Sequence, residues 1–295
     1  MQGELRSWLV ETGFTEASDL MPMQPGLGST GLWSFSPTPG AARLVVRIFG
    51  EGAHHVAERE FLAMTAAAGG GVPVPEIVRR GEISGCPLLV TTFLPGVQAS
   101  EALMAEPDRA FDLGVAMGQT LGRLHAIVAP RGLDRPDRSW LAVGGPALEP
   151  LRSRLPTVSP HDRLLHLDYH LLNVLVDGGA VTGVIDWENT RTGPPWMDLG
   201  RSRALLRAAM IGYARDPAER ETLAQVERGL VAGHAEEAGP DPDPALSLAW
   251  GLAMTVADLE AQLAKPDSPV PPELVVQLRE ERDVAIAAAG NRNPP

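Results

Sequence analysis

Between residues 166 and 188 the chain gathers the side chains whose types and spacing could do chemistry. His166-Leu167-Asp168-Tyr169-His170-Leu171-Leu172-Asn173 puts two oxygen acceptors, Asp168 and Asn173, in one short segment. Ile185-Asp186-Trp187-Glu188 follows, separated from it by Val174-Leu175-Val176, the turn Asp177-Gly178-Gly179, and Val181-Thr182-Gly183-Val184. Two β-rich runs around a Gly-Gly turn predict a hairpin. A hairpin returns its last residue to the neighbourhood of its first, so Asn173 and Asp186 are expected to meet. An amide oxygen beside a carboxylate is a poor zinc site but suits magnesium completed by water and phosphate oxygens. Asp168 is then free to receive a proton from a substrate hydroxyl. Such a set at the end of a hairpin is recurring equipment for phosphoryl transfer. His166, Asp168 and His170 also form an H-x-D-x-H that a metal hydrolase could use. That alternative leaves Asn173 and the second acidic segment without a role.

Several elements must position these residues. A Gly-rich stretch, Gln24 to Gly31, precedes the β-rich run Leu44-Val45-Val46-Arg47-Ile48-Phe49. A helix is expected from His54 to Ala67, carrying Glu58 and Glu60 and breaking at Gly69-Gly70-Gly71. The apolar strand Pro87 to Phe93 stops at Leu94-Pro95-Gly96, which marks a boundary between a region 1–94 and a region 95–295. Beyond it, Phe111, Val115, Leu121, Leu124 and Val128 recur at helical spacing and predict a long helix from Pro107 to Val128. Residues 130–162 are rich in Pro, Gly and Arg and read as irregular. After Asp198 the pattern is helical to the end, with breaks at Gly239-Pro240-Asp241-Pro242 and from Pro266 to Pro272. The expected fold is α+β, with a small β-rich N-terminal lobe and a larger, mainly helical C-terminal lobe.

On these residues the chain resembles the aminoglycoside phosphotransferase and choline kinase superfamily, whose fold is that of the bilobal protein kinases. The superfamily pattern H-G-D-x-H-P-x-N is met at His166, Asp168, His170 and Asn173 and missed at Leu167 and Leu171. A second pattern, I-D-W-E followed by G-D-P-x-x-D-L, is met at Ile185 to Glu188, Gly193, Pro195, Asp198 and Leu199, with Pro194 in place of its Asp. The resemblance covers roughly residues 20 to 265. It implies Asp168 as the base or hydroxyl-orienting carboxylate, and Asn173 and Asp186 as magnesium ligands. Gly28, Ser29 and Thr30 would close over the phosphates of ATP or GTP. Arg47, held by Glu60, would be the phosphate-facing cation where protein kinases have lysine. Thr91, Thr92 and Phe93 would form the hinge that offers backbone groups to the nucleobase. His166 and Asp198 would support the catalytic loop, and Glu188 and Asp258 are candidates for acceptor contacts. The implied reaction moves the γ-phosphate to a hydroxyl of a small molecule, an aminoglycoside-like antibiotic first. A metabolite kinase acting on choline, homoserine or a sugar, or a non-catalytic nucleotide-binding pseudo-kinase, are the alternatives.

Composition bounds the partners. The 295 residues carry 25 Lys+Arg against 37 Asp+Glu, a net charge of −12, which argues against a nucleic-acid surface and leaves room for a cationic acceptor. Lys265 is the only lysine, so a phosphate-binding cation near the nucleotide must be an arginine. A single cysteine, Cys86, excludes an intramolecular disulfide. The N-terminus has no apolar core of a signal peptide and reads as a short amphipathic helix, and no apolar run could span a bilayer. A cytoplasmic protein without a membrane partner is the expectation.

Overall fold

The structure is a computed structural model that describes residues 2–14, 19–23, 31–133, 145–155 and 162–290. Helix α1 (Gln2–Glu11) leads into β1 (Met21–Pro22), β2 (Gly31–Phe35) and β3 (Leu44–Ile48). Helix α2 (His54–Gly69), β4 (Ile77–Ile83) and β5 (Cys86–Thr92) complete the β-rich part. Its five strands form one antiparallel sheet in the order β1-β2-β3-β5-β4. Period-two alternation decides its two faces. Val46 and Ile48 pair with Val90 and Leu88 and are buried with Leu5, Leu9 and Phe14 on one face. Arg47 pairs with Leu89 on the other, where α2 covers the sheet through Ala57. A charged side chain at an inward strand position is thereby turned toward α2.

Past the 94–96 turn come β6 (Val97–Gln98), α3 (Ala99–Ala105) and α4 (Ala110–Leu124), the last entered through a 3-10 turn at Pro107–Arg109. A second 3-10 segment, Gly145–Arg154, precedes β7 (Arg163–Leu165), β8 (Val174–Asp177), β9 (Ala180–Val184) and β10 (Arg191–Gly193). Helices α5 (Pro195–Gly212), α6 (Pro217–Ala238), α7 (Pro244–Leu263) and α8 (Pro272–Gly290) follow. The architecture is thus mixed α+β, β-rich at the N-terminal end and helical at the C-terminal end. Asp216 and Asp243 cap α6 and α7 by accepting from the N–H groups of Glu219 and Leu246, each with a proline at the next position.

Helix α4 is shorter than its apolar spacing predicts, and only Leu121 and Leu124 of that spacing are fully buried. Phe111 and Val128 are exposed, at 43% and 68%. The buried stripe is Leu113, Met117, Leu121 and Leu124, flanked by Gly114, Gly118 and Gly122. Those glycines meet α6 backbone to backbone: a Cβ at Gly118 would lie 2.2 Å from the Leu230 carbonyl oxygen. Gly229 and Gly233 return the contact from α6. The close approach buries His125, just past the end of α4, against His234 of α6.

Candidate active site

The hairpin forms as the sequence predicts. Val174 pairs with Val184, Asp177 with Ala180, and Gly178 and Gly179 take positive φ of 56° and 89° between them. The Ile185 N–H donates to the Asn173 carbonyl at 3.0 Å, which sets Asp186 beside the end of the 166–173 loop. The Asn173 side-chain N–H groups donate to the Asp168 carbonyl oxygen at 3.0 Å and to its carboxylate at 3.1 Å. That contact fixes the amide's orientation, with its oxygen as the remaining acceptor. His170 lies 3.4 Å from the other Asp168 oxygen, and its Nδ1 accepts from the Leu172 N–H. Its Nε2–H is therefore the donor to Asp168. Burial works to raise the Asp168 carboxyl, but the His170 hydrogen bond and nearby positive charge, Arg201 included, bring it down to about 2. Asp168 is an ionised acceptor at neutral pH.

Asp198, on the first turn of α5, holds the loop from beneath. Its carboxylate accepts from the backbone N–H of His166 at 2.6 Å and of Leu167 at 2.9 Å, and is 3.1 Å from His125 Nε2. Burial opposes its ionisation, and these donors overcome it and lower its pKa. Leu167, where the superfamily pattern has glycine, adopts φ 61°. A left-handed non-glycine residue costs about 1–2 kcal/mol, and the Asp198 hydrogen bond to its N–H opposes that strain. His166 is fully buried, with Nε2 3.0 Å from the Ile185 carbonyl and Nδ1 accepting from the Asp168 N–H at 3.3 Å. Both ring nitrogens are taken by the loop, so the H-x-D-x-H hydrolase reading has lost one of its ligands. Burial depresses the His166 pKa and keeps the ring neutral.

Arg47 reaches across from β3. Its guanidinium lies 3.4 Å from Glu60, 3.0 Å from Asp186 and 2.6 Å from Glu188. The expected Arg47–Glu60 pair is present, but the tighter contacts are to the acidic segment after β9. Arg59, the neighbour of Glu60 on α2, donates to the Glu188 carbonyl oxygen at 2.8 Å. Burial, and then repulsion from Asp186 and Glu188, push the Glu60 carboxyl up to about 7 despite Arg47. Burial and Asp186 likewise raise Glu188. Asp186 itself sits at φ 63°.

Other expectations fare differently. Gly28, Ser29 and Thr30 lie outside the described residues. Thr91 pairs with both Val45 and Ile77 because β5 is sandwiched between β3 and β4. For the same reason the Thr92 N–H donates to Glu76 and the Phe93 N–H to Arg43, so neither donor is free for a nucleobase. Glu188 and Asp258, the acidic candidates for acceptor contacts, are both ion-paired: Glu188 with Arg47, and Asp258 with Arg201, which also donates to Thr255 at 2.7 Å. Arg59, Arg201, His125 and His234 carry roles that the local pattern did not reveal. Arg59 could have been found from its place beside Glu60. His125 and His234 are 109 positions apart, and nothing local links them.

An amide oxygen from Asn173 and a carboxylate from Asp186 form a hard-oxygen set, the donor chemistry that magnesium prefers. The sequence pattern of the phosphotransferase enzyme family matches residues 34–155 and 140–239. The chain belongs to this family. The phosphotransferase superposes on aminoglycoside phosphotransferase APH(4)-Ia with a TM-score of 0.66, covering 99% of this chain and 100% of that one at 17% identity. It also resembles spectinomycin phosphotransferase APH(9)-Ia, whose structure holds ADP and spectinomycin (TM-score 0.56, 12% identity, 92% of each chain). Macrolide 2'-phosphotransferase MphH from Brachybacterium faecium gives a TM-score of 0.54 at 18% identity over 99% of each chain. At these identities the likeness is one of fold. A match over 176 residues, covering 50% of this chain, is 30% identical to mouse (Mus musculus) acyl-CoA dehydrogenase family member 10 and spans only 16% of that protein.

Proposed function

We propose that this phosphotransferase moves the γ-phosphate of ATP or GTP to a hydroxyl of a small molecule, in a magnesium-dependent reaction. The observation that carries the reading is the Asp168–Asn173–Asp186 cluster, closed by the hairpin and facing a cation on β3. Asn173 and Asp186 would hold magnesium, which supplies neutralisation of charge on the phosphate oxygens. Asp168, held ionised at about 2, is too weak a base to remove a hydroxyl proton early. Its role is to accept that hydrogen bond and orient the oxygen for in-line attack, taking the proton late. Region 1–94 then serves the nucleotide and region 95–295 the acceptor.

For the acceptor we favour a polyhydroxylated, amino-bearing antibiotic. Support comes from the net charge of −12 and from the fold it shares with an APH(4)-Ia variant in ternary complex with AMP-PNP and hygromycin B (TM-score 0.64, 20% identity, covering 98% of this chain and 100% of that one). Ion pairing at Glu188 and Asp258 favours a second reading, a neutral metabolite acceptor, because those carboxylates already have partners. A coupled assay for ADP and GDP release against cationic antibiotics, choline, homoserine and sugars tests both. Turnover with a cationic antibiotic supports the first, and turnover with a neutral hydroxyl compound alone replaces it with the second. Nucleotide binding with no turnover across the panel would point to a pseudo-kinase.

A further inference from the structure

Behind the 166–173 loop three buried polar side chains lie in a line, from α5, the end of α4 and α6. Asp198 takes the His166 N–H on Oδ2 at 2.6 Å and the Leu167 N–H on Oδ1 at 2.9 Å. His125 brings Nε2 to the same Oδ2 at 3.1 Å, and His234 Nε2 lies 2.9 Å from His125 Nδ1. All three side chains are buried, and the two rings meet edge to face with centroids 5.1 Å apart. Each link limits the next. Oδ2 serves both the His166 N–H and His125, so the carboxylate cannot turn without losing one of them. Among the described residues, the polar contacts of the His125 ring are Asp198 for Nε2 and His234 for Nδ1. Without His234, Nδ1 is stranded in the core, and nothing selects which ring nitrogen faces Asp198. His234 itself cannot drift: a Cβ at Gly118 would lie 2.6 Å from its backbone N, and one at Gly122 3.3 Å from its carbonyl oxygen. The far end of the line is strained, because Leu167 sits at φ 61° and leaves that region unless its N–H is held. Asp168 follows directly, its N–H bonded to His166.

We infer that His234 is a positioning residue for phosphoryl transfer, acting through His125 and Asp198 on the backbone that carries Asp168. Its effect on turnover rests on the phosphotransfer reading above; its effect on the loop rests on the geometry alone. A misplacement of about 1 Å at the reacting groups can cost on the order of 10²-fold in rate, so a loop that relaxes at Leu167 slows transfer. Three links separate His234 from the cleft, and none of them is a nucleotide contact. Its loss therefore shows in kcat and spares the KM for nucleotide.

Hydrogen exchange of the Leu167 amide, followed by NMR on the full chain, reads the loop without any substrate. His234→Leu keeps an apolar bulk but removes the bond to His125, and Leu167 exchange should quicken about fivefold or more. His234→Gln, whose amide can donate or accept, should restore slow exchange. Val226→Ala trims another buried residue of α6 and should leave Leu167 as in the parent. Turnover of ATP or GTP with the best acceptor of the panel above gives the second readout. In His234→Leu kcat should fall about tenfold while the nucleotide KM stays within about twofold of the parent, and His234→Gln should recover kcat. A folded His234→Leu protein with parental Leu167 exchange overturns the inference, and so does quickened exchange with a parental kcat. The same quickening in Val226→Ala, or no recovery in His234→Gln, also overturns it, since general loosening of α4 against α6 would then be the cause. Should His234→Leu not fold, His234→Asn, polar but too short to reach His125, takes its place with the same expectations. If no acceptor of the panel turns over, the phosphotransfer reading fails, and Leu167 exchange still decides whether His234 holds the loop.

Discussion

Asp168 makes its contacts within the loop itself, to Asn173 and His170, and this local support is what presents an ionised carboxylate to the cleft. Asp168→Asn keeps the side-chain shape but loses the charge that, on the proposed mechanism, orients the hydroxyl and finally accepts its proton. Its kcat should fall by about 10²-fold or more, as for loss of a general acid–base group, while mant-ADP affinity in magnesium is maintained. An Asp168→Asn enzyme with parental kcat would remove this carboxylate from the reaction. Leu167 is instructive at the same scale. The superfamily glycine is absent, yet the left-handed backbone is kept, because the Asp198 carboxylate holds the Leu167 N–H.

At the scale of elements, α4 and α6 form the frame on which the loop rests. Their glycines bring the two backbones into contact, and Gly118→Ala would force the helices apart against the Leu230 carbonyl. Overpacking of this kind should destabilise the protein by about 1–3 kcal/mol, read as a lowered midpoint in urea. The same contact brings His234 on α6 within 2.9 Å of His125 Nδ1, and His125 Nε2 reaches Asp198. His125 Nε2 donates to the ionised Asp198, and one hydrogen bond is shared between His125 Nδ1 and His234 Nε2. Burial first, and the neighbouring His125 second, push the His234 pKa down to about 4 from an ordinary 6.5. An unfolded chain therefore takes up this proton before the folded one does. Stability from this group is intact above about 6.5 and is lost as pH falls toward about 4. His234→Gln should flatten that part of the stability–pH curve measured by denaturant titration. An unchanged acid slope would mean that His234 is not held neutral.

For the whole molecule, the acidic balance is the property that reaches furthest. From Leu199 to Pro295 there are 15 Asp+Glu against 10 Lys+Arg. Many of these are paired, as with Glu227 between Arg203 and Arg207, and Arg279 with Glu260. On the proposed reading, what would attract a cationic acceptor is the summed field of the chain rather than one carboxylate. Such steering weakens as the Debye length shrinks from about 10 Å at 0.1 M salt to about 3 Å at 1 M. The KM of the best acceptor should rise several-fold between those salts, and that of nucleotide should rise less. A salt-insensitive acceptor KM would favour the neutral metabolite reading. Among the described residues no helix is long and apolar enough to cross a membrane.

The sequence by itself determined the parts whose signals are local. Asp177-Gly178-Gly179 between β-rich runs is enough to close a hairpin, and the hairpin is enough to bring Asn173 to Ile185 and Asp186. The strand bearing Arg47 and the helix bearing Glu60 are also legible, since alternation and turn chemistry act over a few residues. Tertiary structure alone decided how α4 meets α6, backbone to backbone through glycines, with Phe111 left exposed. It alone decided that β5 lies between two strands, which removes the Thr92 and Phe93 N–H donors from the cleft. It also chose the partners of the charges: Glu188 for Arg47, Arg201 for Asp258, and His234 behind His125. Charge pairing across long separations depends on distance in space and on the water excluded between groups. Neither quantity exists until the chain has folded.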